Sequence, residues 1–547
     1  MSEENRSSAT YDVVILGGGL AGLTLGRQLL TRNPQCKIAI VEKRKFPVSE
    51  AAHKVGESTV EIGAHYFGEV LGLKKHLTDQ QLPKFGLRFF FKDAFQAIEE
   101  GTEVGGSSFF AAPSYQVDRG RLENYLAEAD QAQGAAIYSG LKVKQVELVD
   151  HEKNESSDAL HQVLLSDGKE SVELQSRWVV DATGRYSVIK RMYDLEEDLG
   201  HDINAVWFRI DEQIQIDQWS EDSAWQQLTG KVPRRWLSTN HLMGPGYWVW
   251  LIPLASGSTS IGIVADPRLH KLQELNSIEK SMDWLEQNEP ECADALRDKL
   301  DRIQDFLAIK KMSRGSRQVY SPNRWALVGE AAAFLDPFYS PGSDFIAIGN
   351  TMVTKLIEDD LAGRSIQHLA PALQSIFLTL FQNNLLTYRD QYPLFGNPRI
   401  MAVKFIWDYA VYWGFPALLY FNHKLTDIGF IQSLSKGVEE IRELNKQMQD
   451  FFRDWHEADP EVNASACFVD QSKIDVMTRL NAELIESLDG DDLKMRFFKN
   501  VELIRNLRDE IQDRVKSSQP TLKENWPQHG ADSFSTQLDS VFEMLNI

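Results

Sequence analysis

Cysteine is scarce in this 547-residue chain. Three occur, Cys36, Cys292 and Cys467, far apart and without the short spacings that hold zinc or an iron–sulfur cluster. No disulfide framework and no metal site are expected, and isolated reduced thiols point to a cytoplasmic protein. Positive charge is also short: 58 Lys and Arg stand against 79 Asp and Glu, a net charge of −21. Such a surface repels phosphate backbones and anionic bilayers, which argues against nucleic acid or a membrane surface as the main partner. The opening stretch MSEENRSSAT has neither a basic n-region nor a small-residue cleavage site, so no secretory signal is expected. Long apolar runs are nearly absent. The one candidate, residues 401–421 (MAVKFIWDYAVYWGFPALLYF), is interrupted by Lys404, Asp408 and Pro416 and has no basic flank. It predicts a lid over an apolar pocket or a core helix rather than a transmembrane span.

What is present begins at residues 11–16 (YDVVIL), a short apolar, β-branched run of the kind buried on both faces of a parallel sheet. It leads directly into Gly17, Gly19 and Gly22, spaced G-x-G-x-x-G. A helical apolar pattern follows, then a second strand, residues 37–41, that ends at Glu42. Strand, glycine turn, helix and an acid about 20 residues on make the dinucleotide fingerprint. The glycines let the backbone approach a pyrophosphate at the helix N-terminus, and Glu42 can accept from ribose hydroxyls.

Three later segments specify the nucleotide. Residues 115–126 (YQVDRGRLENYL) resemble the helix-starting segment of flavoprotein hydroxylases, where an arginine reaches the flavin. Arg119 or Arg121 can fill that role, and the motif favours Arg119. Residues 178–185 (WVVDATGR), with Asp181 and Gly184, resemble the second FAD-contacting strand of that fold. Gly329-Glu330-Ala331-Ala332 resembles its G-D-A-A ribityl motif, with Glu330 one methylene longer than the usual Asp. The resemblance implies FAD. Between these segments, residues 142–149, 161–165, 205–214, 247–253 and 258–265 read as strands of a second, antiparallel substrate sheet. Residues 150–158 read as a polar loop, Asp167-Gly168 as a hairpin turn, and residues 275–308 as helical.

Residues 246–253 (GYWVWLIP) contain W-x-W-x-I-P, and this resembles the signature of flavin-dependent halogenases. Trp248 and Trp250 share one strand face and can wall the flavin from the substrate. In that family a flavin hydroperoxide oxidises halide, and hypohalous acid travels to a lysine. The matching residue is Lys84, ahead of an apolar strand where its ammonium would be desolvated and reactive, with Arg88 expected on the same strand face. Residues 55–60 (VGESTV) resemble the G-E-[AS]-T loop over the flavin. Ser58 is implied as a flavin contact, and Glu57 as an acid–base or flavin contact, a helix N-terminal charge being the alternative. The resemblance covers residues 10–360. It implies an α/β protein: a glutathione-reductase-type FAD-binding Rossmann fold, an intertwined antiparallel substrate sheet and a helical C-terminal region.

The halide loop sets the subgroup. Tryptophan halogenases carry D-P-L-E-S-T-G, whereas phenol and pyrrole halogenases tend to D-P-[FV]-F-S-S-G. Residues 336–342 read D-P-F-Y-S-P-G, closer to the second. Tyr339 stands at the glutamate position and can exchange a hydrogen bond but carries no charge at neutral pH. The family's halide, chloride or bromide, takes backbone N–H bonds from the residue after Ser340 and from Gly342. Here the former is Pro341, which has no N–H. One charge-assisted hydrogen bond contributes about 1.5–3 kcal/mol, so its loss weakens halide binding roughly tenfold or more. Two reactions are open on this scaffold: FADH2- and O2-dependent halogenation of an electron-rich aromatic or heteroaromatic ring, free or carrier-tethered, or flavin monooxygenation or dehydrogenation. A single dinucleotide motif implies that FADH2 comes from a separate reductase. Residues 361–547 read as charged amphipathic helices, at 435–456 and 472–517, with a polar tail and a last apolar helix. Cover over the pocket, a homodimer contact and a dock for a carrier protein are open roles for this region.

Overall fold

The computed structural model describes residues 8–50, 54–150, 159–232, 234–460, 466–519, 522, 526, 538–545 and 547. Two eight-stranded sheets organise it. In the first, Ser8–Leu16 lies between Ile38–Glu42 and Ser171–Asp181, parallel to both, with Ala136–Ser139 beyond one and Trp325–Leu327 beside the other. Val13, Val14, Ile15 and Leu16 are completely buried, as a central parallel strand covered on both faces requires. The register makes one row across this sheet. Leu16 is level with Val41 and Asp181, and Asp181 with Leu327. Each of these strands leaves the sheet at the same edge, so Gly17, Glu42, the Asp181 turn and Gly329 are delivered to one place.

The strands Lys142–Glu147 and His161–Ser166 correct an expectation. They do not join the substrate sheet but extend the first one. Ser171–Asp181 is eleven residues long. One flank of it pairs with His161–Ser166 over residues 171–176 and with Trp325–Leu327 over residues 179–181. Gly168, at φ +97°, makes the turn between His161–Ser166 and Ser171–Asp181. Most of the loop read at 150–158 lies outside the described residues.

The second sheet runs Ile303–Ile309, Asn204–Ile210, Thr259–Ala265, Tyr247–Pro253, Thr239–Gly244, Leu87–Phe91, Thr102–Gly105 and Cys467–Asp470. It is mixed, because Leu87–Phe91 is parallel to Thr239–Gly244 and Cys467–Asp470 is parallel to Thr102–Gly105. Two more expectations change here. The helical reading of 275–308 holds for Ile278–Asn288 and Pro290–Arg297, but Ile303–Ile309 is the edge strand. The C-terminal region is helical except where Cys467–Asp470 adds the opposite edge.

Alternation along Tyr247–Pro253 sends its two faces into two cores. Trp248, Trp250 and Ile252 enter the main core, while Tyr247, Val249 and Leu251 enter a smaller one under the helices Ile278–Asn288 and Pro290–Arg297. The helix Pro398–Tyr412 is buried almost all round. Asn397 caps it through Arg399 and Ile400 N–H, and Phe405 stacks on Phe89 at 3.8 Å. The apolar run at 401–421 is therefore a core helix continued through a π-turn at Trp413–Ala417, with Pro416 inside it. Among the described residues no helix is long and apolar enough to cross a membrane.

Trp250 occupies the space above Gly262, its cross-strand neighbour. A Cβ on Gly262 would lie 2.2 Å from the indole, whose ring is also paired with Trp207, centroids 6.5 Å apart. Gly262→Ala is expected to destabilise the protein by about 1–3 kcal/mol, as overpacking does, seen as a drop of several degrees in thermal unfolding.

Candidate active site between the two sheets

The cradle for a nucleotide is built by close approach. Gly17 has φ +110°, and a Cβ there would lie 2.3 Å from the Ala182 carbonyl oxygen. A Cβ on Gly22 would lie 1.9 Å from the Gly17 carbonyl oxygen. Gly19 caps the helix Leu20–Arg32, and nothing among the described residues stands within 4 Å of the position its Cβ would take. That opening over a helix N-terminus fits a pyrophosphate. Glu42 accepts from Gly18 N–H and from Arg44, each at 3.0 Å. Asp181 is turned inward: it accepts from Thr183 N–H and hydroxyl and from Ile189 N–H, and so shapes the turn before Gly184. Gly184 lies beside Glu330: a Cβ there would lie 3.8 Å from its carboxylate. Burial raises the Glu330 carboxyl above its usual range, against the pull of Arg185 and Arg119. Gly329, at φ +59°, packs against Ala21 at the start of the first helix.

The structure separates the two candidate arginines. Arg121 is on the surface with Glu50, while Arg119 turns inward to the Val55 carbonyl and Glu123. Its buried Nε–H has no acceptor among the described residues. Glu57 is buried, 2.7 Å from Arg209, which also binds Asp305. Its Oε1 is committed to that arginine, while its buried Oε2 has no hydrogen-bond partner among the described residues. Arg88 points away from Lys84 into a buried cluster with Glu103 and Arg235.

Lys84 sits between Leu82–Pro83 and Leu87–Phe91 and is 3% exposed. Its Nζ donates to Ser58 Oγ at 2.8 Å and to the Thr59 carbonyl at 2.7 Å. Ser58 Oγ also accepts from Ser340 at 2.9 Å and lies 2.7 Å from Thr239 Oγ1. With both lone pairs taken, its own hydrogen goes to Thr239. One hydroxyl thus joins the lysine to the 336–342 loop. Burial lowers the Lys84 ammonium to about 7, while Glu61 and Asp344 raise it. Asp344 accepts from Gly63 N–H at 2.8 Å and Tyr412 hydroxyl at 2.7 Å, and burial pushes it up to about 7.

The loop leads into the helix Gly342–Leu361. Ser340 has φ +58°, and Pro341 is the cap residue. The first bond within the helix runs from Phe345 N–H to the Pro341 carbonyl, so the amides of Gly342, Ser343 and Asp344 belong to the unbonded first turn. Pro341 contributes none. Tyr339 donates to Asp408 at 2.7 Å, and burial raises its phenol well above the usual range. Asp408 in turn pairs with the buried Lys404. Asp336 accepts from Tyr392 at 2.7 Å and lies 2.9 Å from His201. Tyr392 accepts from the Trp248 indole at 2.9 Å. The signature tryptophan is thereby tied to the loop.

Two adjoining cavities meet at Val60, Leu87 and Tyr409. One, about 50 Å³, is lined by Tyr339, Pro341, Asp344, Asp408 and Tyr412. The other, about 230 Å³, is lined by Lys84, Glu61, Phe109, Phe110, Tyr409 and Trp413. Sequence reasoning reached Lys84, Ser58 and the loop, but not Glu61, Asp344, Asp408 or Trp413. The available signal was two acids, Glu61 and Asp344, each inside an apolar helix start beside a flavin-loop motif.

A family model for an FAD binding domain matches residues 10–342. The flavin-dependent halogenase chlA of Dictyostelium discoideum is 30% identical over 427 residues, 74% of this chain and 69% of that protein. The 1H-pyrrole-2-carbonyl-[peptidyl-carrier protein] chlorinase of Pseudomonas fluorescens is 26% identical over 74% of this chain and 87% of its own. Among solved structures, halogenase PltM in complex with phloroglucinol and FAD superposes with a TM-score of 0.61 at 14% identity, over 86% of this chain and 96% of that one. The glycine cradle, the tethered lysine and these likenesses agree: the chain is an FAD-dependent enzyme that belongs to the flavin-dependent halogenase family.

Proposed function

We propose that this protein halogenates an electron-rich aromatic or heteroaromatic ring, with Lys84 relaying the oxidised halogen. The carrying observation is the position of Lys84. One side of its ammonium is bonded through Ser58 to Ser340 at the halide loop, and the other lines an aromatic cavity of about 230 Å³. When bound, FADH2 delivered by a separate reductase would supply two electrons to O2, which would take two more from a halide ion and so make the halogen electrophilic. The chain's own residues do the rest. Gly17, Gly19, Gly22, Glu42, Arg119, Gly184 and Glu330 hold the cofactor. Trp248 and Trp250, buried and anchored through Tyr392 and Ser260, keep the ring away from it. Gly342 supplies an amide toward the halide. Lys84 keeps one N–H beyond those given to Ser58 and Thr59, and near neutrality it is available both as ammonium, to hydrogen-bond hypohalous acid, and as amine. Helix Pro398–Tyr412 and the following turn line the cavity through Tyr409 and Trp413, which supports the C-terminal region as its cover. Phloroglucinol in a structural neighbour and carrier-tethered pyrrole in a relative support free or tethered rings.

Pro341 favours a second reading, a monooxygenase or dehydrogenase on the same scaffold, because it removes one halide donor. Flavin reduction by NADPH without a partner protein would favour that reading.

Three outcomes are expected. With FADH2, O2, bromide and a panel of phenols, pyrroles and indoles, mass spectrometry should detect a brominated product, and Lys84→Ala should abolish it with FAD content unchanged. FAD-loaded protein that gives no product on any ring overturns the assignment for those substrates. Pro341→Ala restores an amide and should tighten bromide binding about tenfold, read by titrating the flavin spectrum. The third concerns stability. A lysine lowered to about 7 on folding holds its proton less well folded than unfolded. Stability should therefore rise with pH from about 7 toward the ordinary lysine value near 10.5. Lys84→Met should flatten that rise in thermal unfolding.

A further inference from the structure

The relay leaves two polar groups in the larger cavity without a task. Glu61 opens the short helix Glu61–His65 and is 6% exposed. Its Oε1 lies 3.5 Å from Asn481 Nδ2, a bond at the limit of length, and its Oε2 has no partner among the described residues. Trp413 is 1% exposed, and its Nε1–H also has no acceptor among the described residues. Burial raises the Glu61 carboxyl above its usual range, against the opposing pull of the Trp413 indole beside it and of Lys84, yet no hydrogen bond of good geometry closes between carboxylate and indole. Both groups line the cavity with Lys84, and the rest of the wall is largely apolar or aromatic, including Phe109, Phe110 and Leu87. Buried polar atoms of this kind are otherwise satisfied.

We propose that Glu61 and Trp413 form a hydroxyl-reading end of the substrate cavity, so that the ring accepted here carries a free phenolic hydroxyl. A carboxylate only accepts and an indole N–H only donates. A hydroxyl does both at one atom and satisfies both groups. A pyrrole or indole N–H satisfies Glu61 alone, and an ether oxygen satisfies Trp413 alone. The inference rests on the halogenase reading for its chemistry, which then balances as follows. The hydroxyl proton passes to Glu61 while a ring carbon forms its bond to the halogen of hypohalous acid. The halogen–oxygen bond breaks, and the oxygen leaves with the electron pair, taking a proton from the Lys84 ammonium to become water. The ring proton then replaces it on Lys84 as aromaticity returns, and Glu61 hands back the hydroxyl proton. Asp344, Tyr115, Tyr409 and Tyr412 are further titratable groups around this cavity.

The test uses FAD-loaded protein, with calorimetric binding of resorcinol and its dimethyl ether. The diol should bind at least tenfold more tightly. Glu61→Leu and Trp413→Phe should each remove most of that preference with FAD content unchanged. Glu61→Gln, which can still hydrogen-bond, should keep the preference but lower kcat for bromination at least tenfold. Equal binding of the two rings by the native protein, or an undiminished preference in both Glu61→Leu and Trp413→Phe, overturns the site; an unchanged kcat in Glu61→Gln overturns the proton transfer. A clear preference without any brominated product would leave this site standing and remove the halogenase reading alone.

Discussion

Keeping one ammonium inside protein is the constraint that the rest of the site answers. Water would stabilise the Lys84 charge, but burial removes it. The replacement is a serine oxygen, a backbone carbonyl and two acids nearby. These supports come from separate segments: Ser58 and Thr59 before one helix, Asp344 in the first turn of another, and Ser340 in the loop between. Their mutual placement depends on the parallel strands of the first sheet ending at a single row. Had the balance favoured the charge completely, the lysine would be a plain salt-bridge residue. Had burial won completely, it would be an inert amine.

The dinucleotide strand, its glycines and the W-x-W strand were legible because each rests on a short pattern: an apolar run, a fixed spacing, an alternation of faces. Lys84, Ser58 and Ser340 were legible as members of motifs, although nothing in the sequence said that one hydroxyl joins all three. What escaped depends on pairing over long distances. His161–Ser166 alternates in the same way whichever sheet it joins, and only the length of Ser171–Asp181 decides. Ile303–Ile309 follows two helices and lacks a turn signal strong enough to end them. Glu57 and Glu61 look alike in sequence, two acids flanking a motif. Arg209, more than 150 residues away, claims the first, and no cation among the described residues is bonded to the second.

The loop at 336–342 is braced from two sides. Phe338 packs among Phe89, Trp248, Phe395 and His241, and Asp336 gathers Tyr392 and His201. Stacked rings and a buried carboxylate fix the path of the backbone before Ser340 turns into the left-handed region. A proline cap is then easy to accommodate, since the helix that follows needs no amide from that residue. The conformation survives where a donor is lost, which separates the loop's architecture from its affinity for an anion.

The edge strand Cys467–Asp470 has a bearing on how the chain is made. Its partner, Thr102–Gly105, leaves the ribosome some 360 residues earlier. Throughout that interval the growing sheet presents an open row of peptide groups, the sort of edge on which unfinished chains cross-pair. Closing that edge also brings in Asn481, which binds Ala112 and Glu61. Synthesis of residues 467–481 therefore covers this edge and brings Asn481 against the cavity-lining Glu61 together, so a nascent chain gains that contact only as the edge is closed.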